Sequence, residues 1–170
     1  MTTAALRPPA HRVSPRAVPM WTVRSGMGVA LLVGVLCVAA WNAGAWGWLP
    51  AWIQQNAWWG PIAYGGIAVF QVVVVPRWRY RVHRWEVTSD VIYTRTGWAT
   101  REWQLVPVSR IQTVDYNQGW LERLFRLATL EVQTASHAGS STIEGLDAEQ
   151  ARQVSEELAT RAGTLRDDAT

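Results

Sequence analysis

Nine residues, Arg77-Trp78-Arg79-Tyr80-Arg81-Val82-His83-Arg84-Trp85, interleave basic and aromatic side chains more densely than any other stretch of the chain. Such a pattern suits contact with phosphates, since guanidinium groups pair with them and the rings supply stacking or interfacial surface. A nucleic-acid strand is one ligand with this chemistry and an anionic membrane surface is another. The segment directly follows a long apolar run, where each arginine near an anionic leaflet is worth about 1 kcal/mol. Anchoring accounts for the residues without a nucleic-acid partner, and none is expected. Other reactive types are sparse. His137 lies among Ser136, Ser140 and Ser141, but no Gly-x-Ser-x-Gly elbow accompanies it. The other histidines, His11 and His83, stand far apart in sequence, and the single Cys37 supports neither a disulfide framework nor a cysteine metal cluster. No phosphate-binding loop, His-Glu-x-x-His or dinucleotide fingerprint is present. The expectation is therefore no catalytic residue, no metal, no cofactor and no enzyme activity.

The elements that position the basic segment come first in the chain. Of its 170 residues 49% are hydrophobic and only 17% charged, against roughly 25% charged in soluble domains. Ser25 to Pro76 contains no Asp, Glu, Lys or Arg. About 20 apolar residues cross a hydrocarbon core of about 30 Å, so the stretch holds two crossings and a turn. The spans are expected at about 26–46 and 59–75, with Leu49 to Asn56 between them. Trp46, Trp48, Trp52, Trp58 and Trp59 crowd that turn, as they do at headgroup depth. Arg7, Arg12, Arg16 and Arg24 precede the first span, Arg77, Arg79, Arg81 and Arg84 follow the second, and the loop has none. The positive-inside bias then puts both termini in the cytoplasm of a bacterial inner-membrane protein. A cleaved signal peptide ending at Ala43-Gly44-Ala45 competes with this reading. Gly26, Ala30 and Gly34 form a small-residue stripe, expected to pack the hairpin against itself. No Asp, Glu, Lys, Arg or His lies within either span, which argues against a transport pathway or voltage sensor.

The organisation expected is a basic tail over 1–24, a membrane hairpin over 25–76, a cytoplasmic domain over 77–163 and a tail over 164–170. Within the domain, strands are expected at 80–88, 91–96, 101–106, 111–116, 128–135 and 142–146, from alternation and from turn residues at Ser89-Asp90, Gly97 and Pro107. Trp120 to Phe125 reads as a short helix with Trp120, Leu121, Leu124 and Phe125 on one face. A last helix starts after Asp147, lines Ala151, Val154, Leu158 and Ala162 along one side, and stops near Gly163. A bent sheet closed by a C-terminal amphipathic helix makes a partly open barrel of α+β class.

Val106-Pro107-Val108-Ser109-Arg110-Ile111-Gln112-Thr113-Val114, then Gln118 to Phe125, then Leu127 to Ala135, resembles the bacterial pleckstrin-homology (PH) domain of membrane-anchored proteins, whose members carry two N-terminal spans before one such domain. The resemblance covers nearly the whole chain. It implies a PH-like, partly open β-barrel with a C-terminal capping helix behind a membrane helical hairpin, and it brings neither a settled ligand nor catalytic residues. Arg126 departs from the Gly expected after Leu-Phe. The turn Thr88-Ser89-Asp90 lacks the basic cluster with which eukaryotic PH domains hold phosphoinositides, so no such site carries over.

Two sets of residues stand as candidates. Arg77, Trp78, Arg79, Tyr80, Arg81 and Arg84 are expected at the membrane interface. Arg110, Gln112, Trp120, Arg123, Phe125 and Arg126 are the candidate interaction patch. The expected function is assembly at the cytoplasmic face with a protein partner or further copies of the chain. Recognition of an anionic lipid headgroup is the second reading.

Overall fold

A computed structural model of the chain describes residues 7–97, 102–134 and 140–167. It divides into two compact units. One is Trp21–Arg77 and the other combines the chain up to Met20 with everything from Trp78 onward.

The first unit is helical. Helix α1 (Ala17–Asn42) runs on through a 3-10 turn (Ala43–Ala45), a short α2 (Ala51–Asn56) fills the loop, and α3 (Trp59–Val82) returns. With 26 and 24 residues the long helices rise about 39 and 36 Å, enough to cross a bilayer core. Both are apolar enough to span a membrane. Their outward side chains are those a lipid phase accepts, among them Leu31, Val38, Ile67 and Phe70, while Trp41, Trp48, Trp52, Trp58 and Trp59 are exposed toward the loop end. The small-residue stripe does not pack as expected. A side chain added at Gly34, Gly60, Gly65 or Gly66 would meet open space, and only Gly26 approaches the opposite helix, at Val72.

The second unit holds two antiparallel sheets. Strands β1 (His11–Arg12), β2 (Arg84–Val87), β3 (Val91–Thr96) and β4 (Glu102–Pro107) form one, in that order. Strands β5 (Ile111–Asn117), β6 (Leu127–Thr134) and β7 (Ser141–Asp147) form the other. A 3-10 turn (Val108–Arg110) joins β4 to β5, helix α4 (Trp120–Phe125) joins β5 to β6, and α5 (Ala148–Asp167) follows β7. Alternation decides the inner face. Ile92 and Val106 from the first sheet meet Leu130, Val132, Ile143 and Leu146 from the second, and Ala151 and Leu158 of α5 cover them. A buried Thr94 Oγ1–Ser141 Oγ bond of 2.9 Å ties the sheets together. The barrel is not closed, since among the described residues β4 and β5 carry no strand on their outer sides.

Several boundaries move from the sequence expectation. Residues 80–82 belong to α3 rather than to a strand, and the strand starts only at Arg84. The helix passes Pro76, whose missing N–H removes one internal bond, and Arg77 Nη1 donates to Val73 O nearby at 2.6 Å. Arginines in the last turn suit the negative end of the helix dipole. Helix α5 runs through Gly163 to Asp167, so 164–167 are helical rather than a tail. Arg101, Ala135 and His137 fall outside the described residues.

The largest departure is at the N-terminus. Residues 7–20 are built into the second unit instead of forming a separate tail. Paired to β2, His11 and Arg12 lie opposite Trp85 and Arg84. Ser14 N donates to Gly145 O of β7 at 2.8 Å. Arg16 Nη1 reaches Asp147 Oδ2 at 3.1 Å, while Arg7 pairs with Glu86. Pro9, Val13 and Ala17 are buried. This segment thus straps the β2 edge of one sheet to the β7 edge of the other, and the membrane hairpin is an insertion between the first two strands of the domain.

Candidate functional site

The basic-aromatic segment is sorted by the end of α3. On a helix successive residues turn about 100°, so the set cannot share one face. Arg77, Trp78 and Arg81 are exposed, and Arg79 and Tyr80 are half-buried. Arg79 is committed inward. Its Nη2 meets Glu144 Oε2 at 2.7 Å and its Nε lies 3.4 Å from His83 Nε2. His83 Nδ1 lies 2.9 Å from Arg79 O, an acceptor, so the proton sits on Nδ1 and Nε2 is left to accept from Arg79. Arg84, the last of the set, is on β2, facing away from the side on which Trp85 is buried.

The interaction patch is divided by β5. Arg110 and Gln112 stand exposed at its start, and α4 begins beyond its end. Seven residues at about 3.3 Å each put roughly 20 Å between the two groups. What the fold does bring together is Trp120, Arg123, Phe125 and Arg126 on or beside α4. Trp120 is 67% and Leu124 72% exposed, one turn apart on the same face, while Leu121 is buried and Phe125 half-buried. The helix is short but fixed at both ends. Glu122 Oε2 accepts from Gly119 N and its Oε1 from Thr129 Oγ1, both at 2.7 Å. Gln118 Nε2 donates to Leu127 O at 2.7 Å. Arg126 takes a left-handed conformation, φ 56°, where Gly would be at ease, and its carbonyl accepts from Ala148 N. Such a backbone costs a non-glycine residue about 1–2 kcal/mol, and it ends the helix in one turn.

The acids beside this surface in sequence, Glu122 and Asp115, are engaged by other groups. Glu122 serves the helix start and Asp115 accepts from Gln133 Nε2. Arg123 and Arg126 have no ion pair among the described residues. The outcome is a rigid projection with two exposed apolar side chains and two cations. No group of three or more metal-ligating side chains occurs among the described residues.

Sequence reading missed Leu124 as a surface residue, because Trp120, Leu121, Leu124 and Phe125 read as one apolar stripe. It also did not bring Arg12 and Arg95 into line with Arg84, as the pairing of β1, β2 and β3 does. Arg95 was findable, since a tight turn at Ser89-Asp90 forces it opposite Arg84. Nothing local marks Arg12, which reaches the sheet from the far side of both spans.

Comparison with known proteins agrees with this architecture. The model of the family described as bacterial PH domain matches residues 26–162. The UPF0699 transmembrane protein YdbS of Bacillus subtilis (strain 168) is 27% identical over 160 residues, covering 94% of this chain and 97% of that protein. No solved structure matches.

Proposed function

The chain belongs to the bacterial PH domain family, and from that premise we propose that it is a membrane-anchored interaction protein of the bacterial inner membrane. Both its termini and its PH-like domain lie at the cytoplasmic face, and the domain docks a protein partner or another copy of the chain rather than performing a reaction. The observation that carries this reading is the exposure of Trp120 and Leu124 on a helix locked by Glu122, Gln118 and Arg126. Exposed apolar anchors on a rigid element are what protein contacts use at their centres, and Trp and Arg dominate such contacts energetically. The outer edge of β4, which carries no strand among the described residues, adds main-chain groups that a partner strand can pair with.

The test is purification of the full-length protein in mild detergent, with mass spectrometry of what remains bound, for wild type and for Trp120→Ser/Leu124→Ser. The substituted side chains are exposed, so thermal stability should stay within about 0.5 kcal/mol of wild type. A reproducible partner protein, or a defined oligomer, that disappears in the double variant is the expected result. Retention of that partner in the double variant, or a wild type that is monomeric and alone, overturns the proposal. Anionic lipid recognition is the second reading, favoured by the exposure of Arg77, Trp78 and Arg81 at the end of the span.

A further inference from the structure

Arg12, Arg84 and Arg95 come from three adjacent strands. Arg12 lies opposite Arg84 across β1 and β2, and Arg84 lies opposite Arg95 across β2 and β3. Directly opposite residues share a sheet face with Cβ atoms about 4.5–5.5 Å apart, where like charges repel. Three cations therefore stand in a row on the outward face, while Trp85, Ile92 and Thr94 fill the inward one. Glu86, two residues along β2 on the same face, is engaged by Arg7 and by Ala10 N. Arg95 is held in place, its Nε donating to Val82 O at 3.1 Å and its guanidinium lying 5.4 Å from the Trp103 ring centre. Arg84 Nε is buried and has no hydrogen-bond partner among the described residues.

A buried charged donor without an acceptor and a row of like charges are each unfavourable, and one anion relieves both. The guanidinium fork matches phosphate oxygens in pairs. Place in the chain narrows the source. Val82 ends the second spanning helix, five residues or roughly 7.5 Å beyond Arg77, the first charge after the apolar run. Arg84 thus follows the last residue of the apolar run by only eight positions in the chain, which makes lipid phosphate the first source to test.

We infer that Arg12, Arg84 and Arg95 form a binding site for a phosphate-class anion, with a lipid phosphate as the favoured source and free phosphate as the other. The site is assembled only when β1, from before the membrane hairpin, joins β2 and β3 from after it. It is distinct from the α4 surface and stands or falls independently of protein docking there.

Thermal unfolding of the purified full-length protein tests this in two arms. One adds inorganic phosphate in maltoside detergent, against sodium chloride of equal ionic strength. The other compares nanodiscs of phosphatidylcholine with nanodiscs also containing phosphatidylglycerol. A rise in Tm with phosphatidylglycerol alone assigns the site to lipid, and a rise with inorganic phosphate as well assigns it to phosphate from either source. In Arg84→Gln the rise should be lost, while the Tm without anion stays at or above wild type because the repulsion is gone. Should Arg84→Gln fail to fold, Arg12→Gln, whose side chain is exposed, reads the same loss. No rise beyond the chloride control in either arm, or a full rise in the variants, overturns the inference.

Discussion

At the residue scale, His83 is the titrating group with most at stake. It is buried between the end of α3 and β2, close to Arg79 and with Glu144 beyond. Burial first, and the neighbouring Arg79 second, hold its pKa below the ordinary 6.5, and the contact with the Arg79 carbonyl and the charge of Glu144 offset this only in part. The geometry gives the same sign, because a proton on Nε2 would remove the acceptor that Arg79 Nε uses. The folded protein thus takes up this proton at a lower pH than the unfolded chain. The stability it contributes is complete above pH 6.5 and is lost as pH falls through the folded value. Denaturant unfolding of the full-length protein between pH 7.5 and 5 should show wild type weakening on the acid side. His83→Gln, which keeps a donor and an acceptor but does not titrate, should be flatter over that window. Equal pH slopes for the two proteins would remove His83 from the account.

At the scale of elements, the decisive piece is the strap formed by residues 7–16. The six strands and two helices after the membrane hairpin were legible in sequence, because a turn or Pro punctuates each and the alternation of Ile92, Thr94, Leu130 and Val132 sets the buried face. The continuation of α3 over residues 77–82 was not, because a short run of Arg, Trp and Tyr suits a strand as well as a helix end and only packing decides. The strap was invisible for a different reason. Two ladder pairs carry no periodicity, and Val13 and Ala17 look like any apolar residues ahead of a span. Without the strap, Trp85 loses the Arg12 carbonyl as acceptor, at 3.3 Å, and the His11 ring beside it. Gly145 O loses Ser14 N as well. Exposing a Trp now only 4% accessible, together with the buried Val13 contacts, should cost about 3–5 kcal/mol. A fragment of residues 78–167 should therefore be insoluble or show weak, broad unfolding. Residues 7–16 joined to it through a Gly/Ser linker in place of the hairpin should restore a single sharp transition. Equal cooperativity in both proteins would show the strap to be dispensable.

For the whole molecule, the strap turns a statistical expectation about orientation into a mechanical one. Charge bias alone puts the arginines flanking the two spans on one side. A shared sheet demands it independently, since β1 and β2 pair directly and two crossings separate them in the chain. The arrangement also bears on the signal-peptide alternative. Cleavage after Ala45 would remove β1, Ser14 and Arg16 at once, and with them the bridge between the β2 and β7 edges. A cleaved chain would keep one span and a domain lacking the strap, a loss of about 3–5 kcal/mol that removes a large part of the roughly 5–15 kcal/mol stability of an ordinary domain. Protein extracted from membranes should therefore retain residues 7–20 by intact mass. In a Cys37→Ser background, a cysteine placed at Gln55 in the loop should react with a membrane-impermeant maleimide on intact spheroplasts. One placed at Ser89, in the β2–β3 turn, should react only after permeabilisation. A mass that starts after Ala45 would overturn the inserted-hairpin architecture, and labelling of Ser89→Cys from outside would reverse the orientation while leaving that architecture intact.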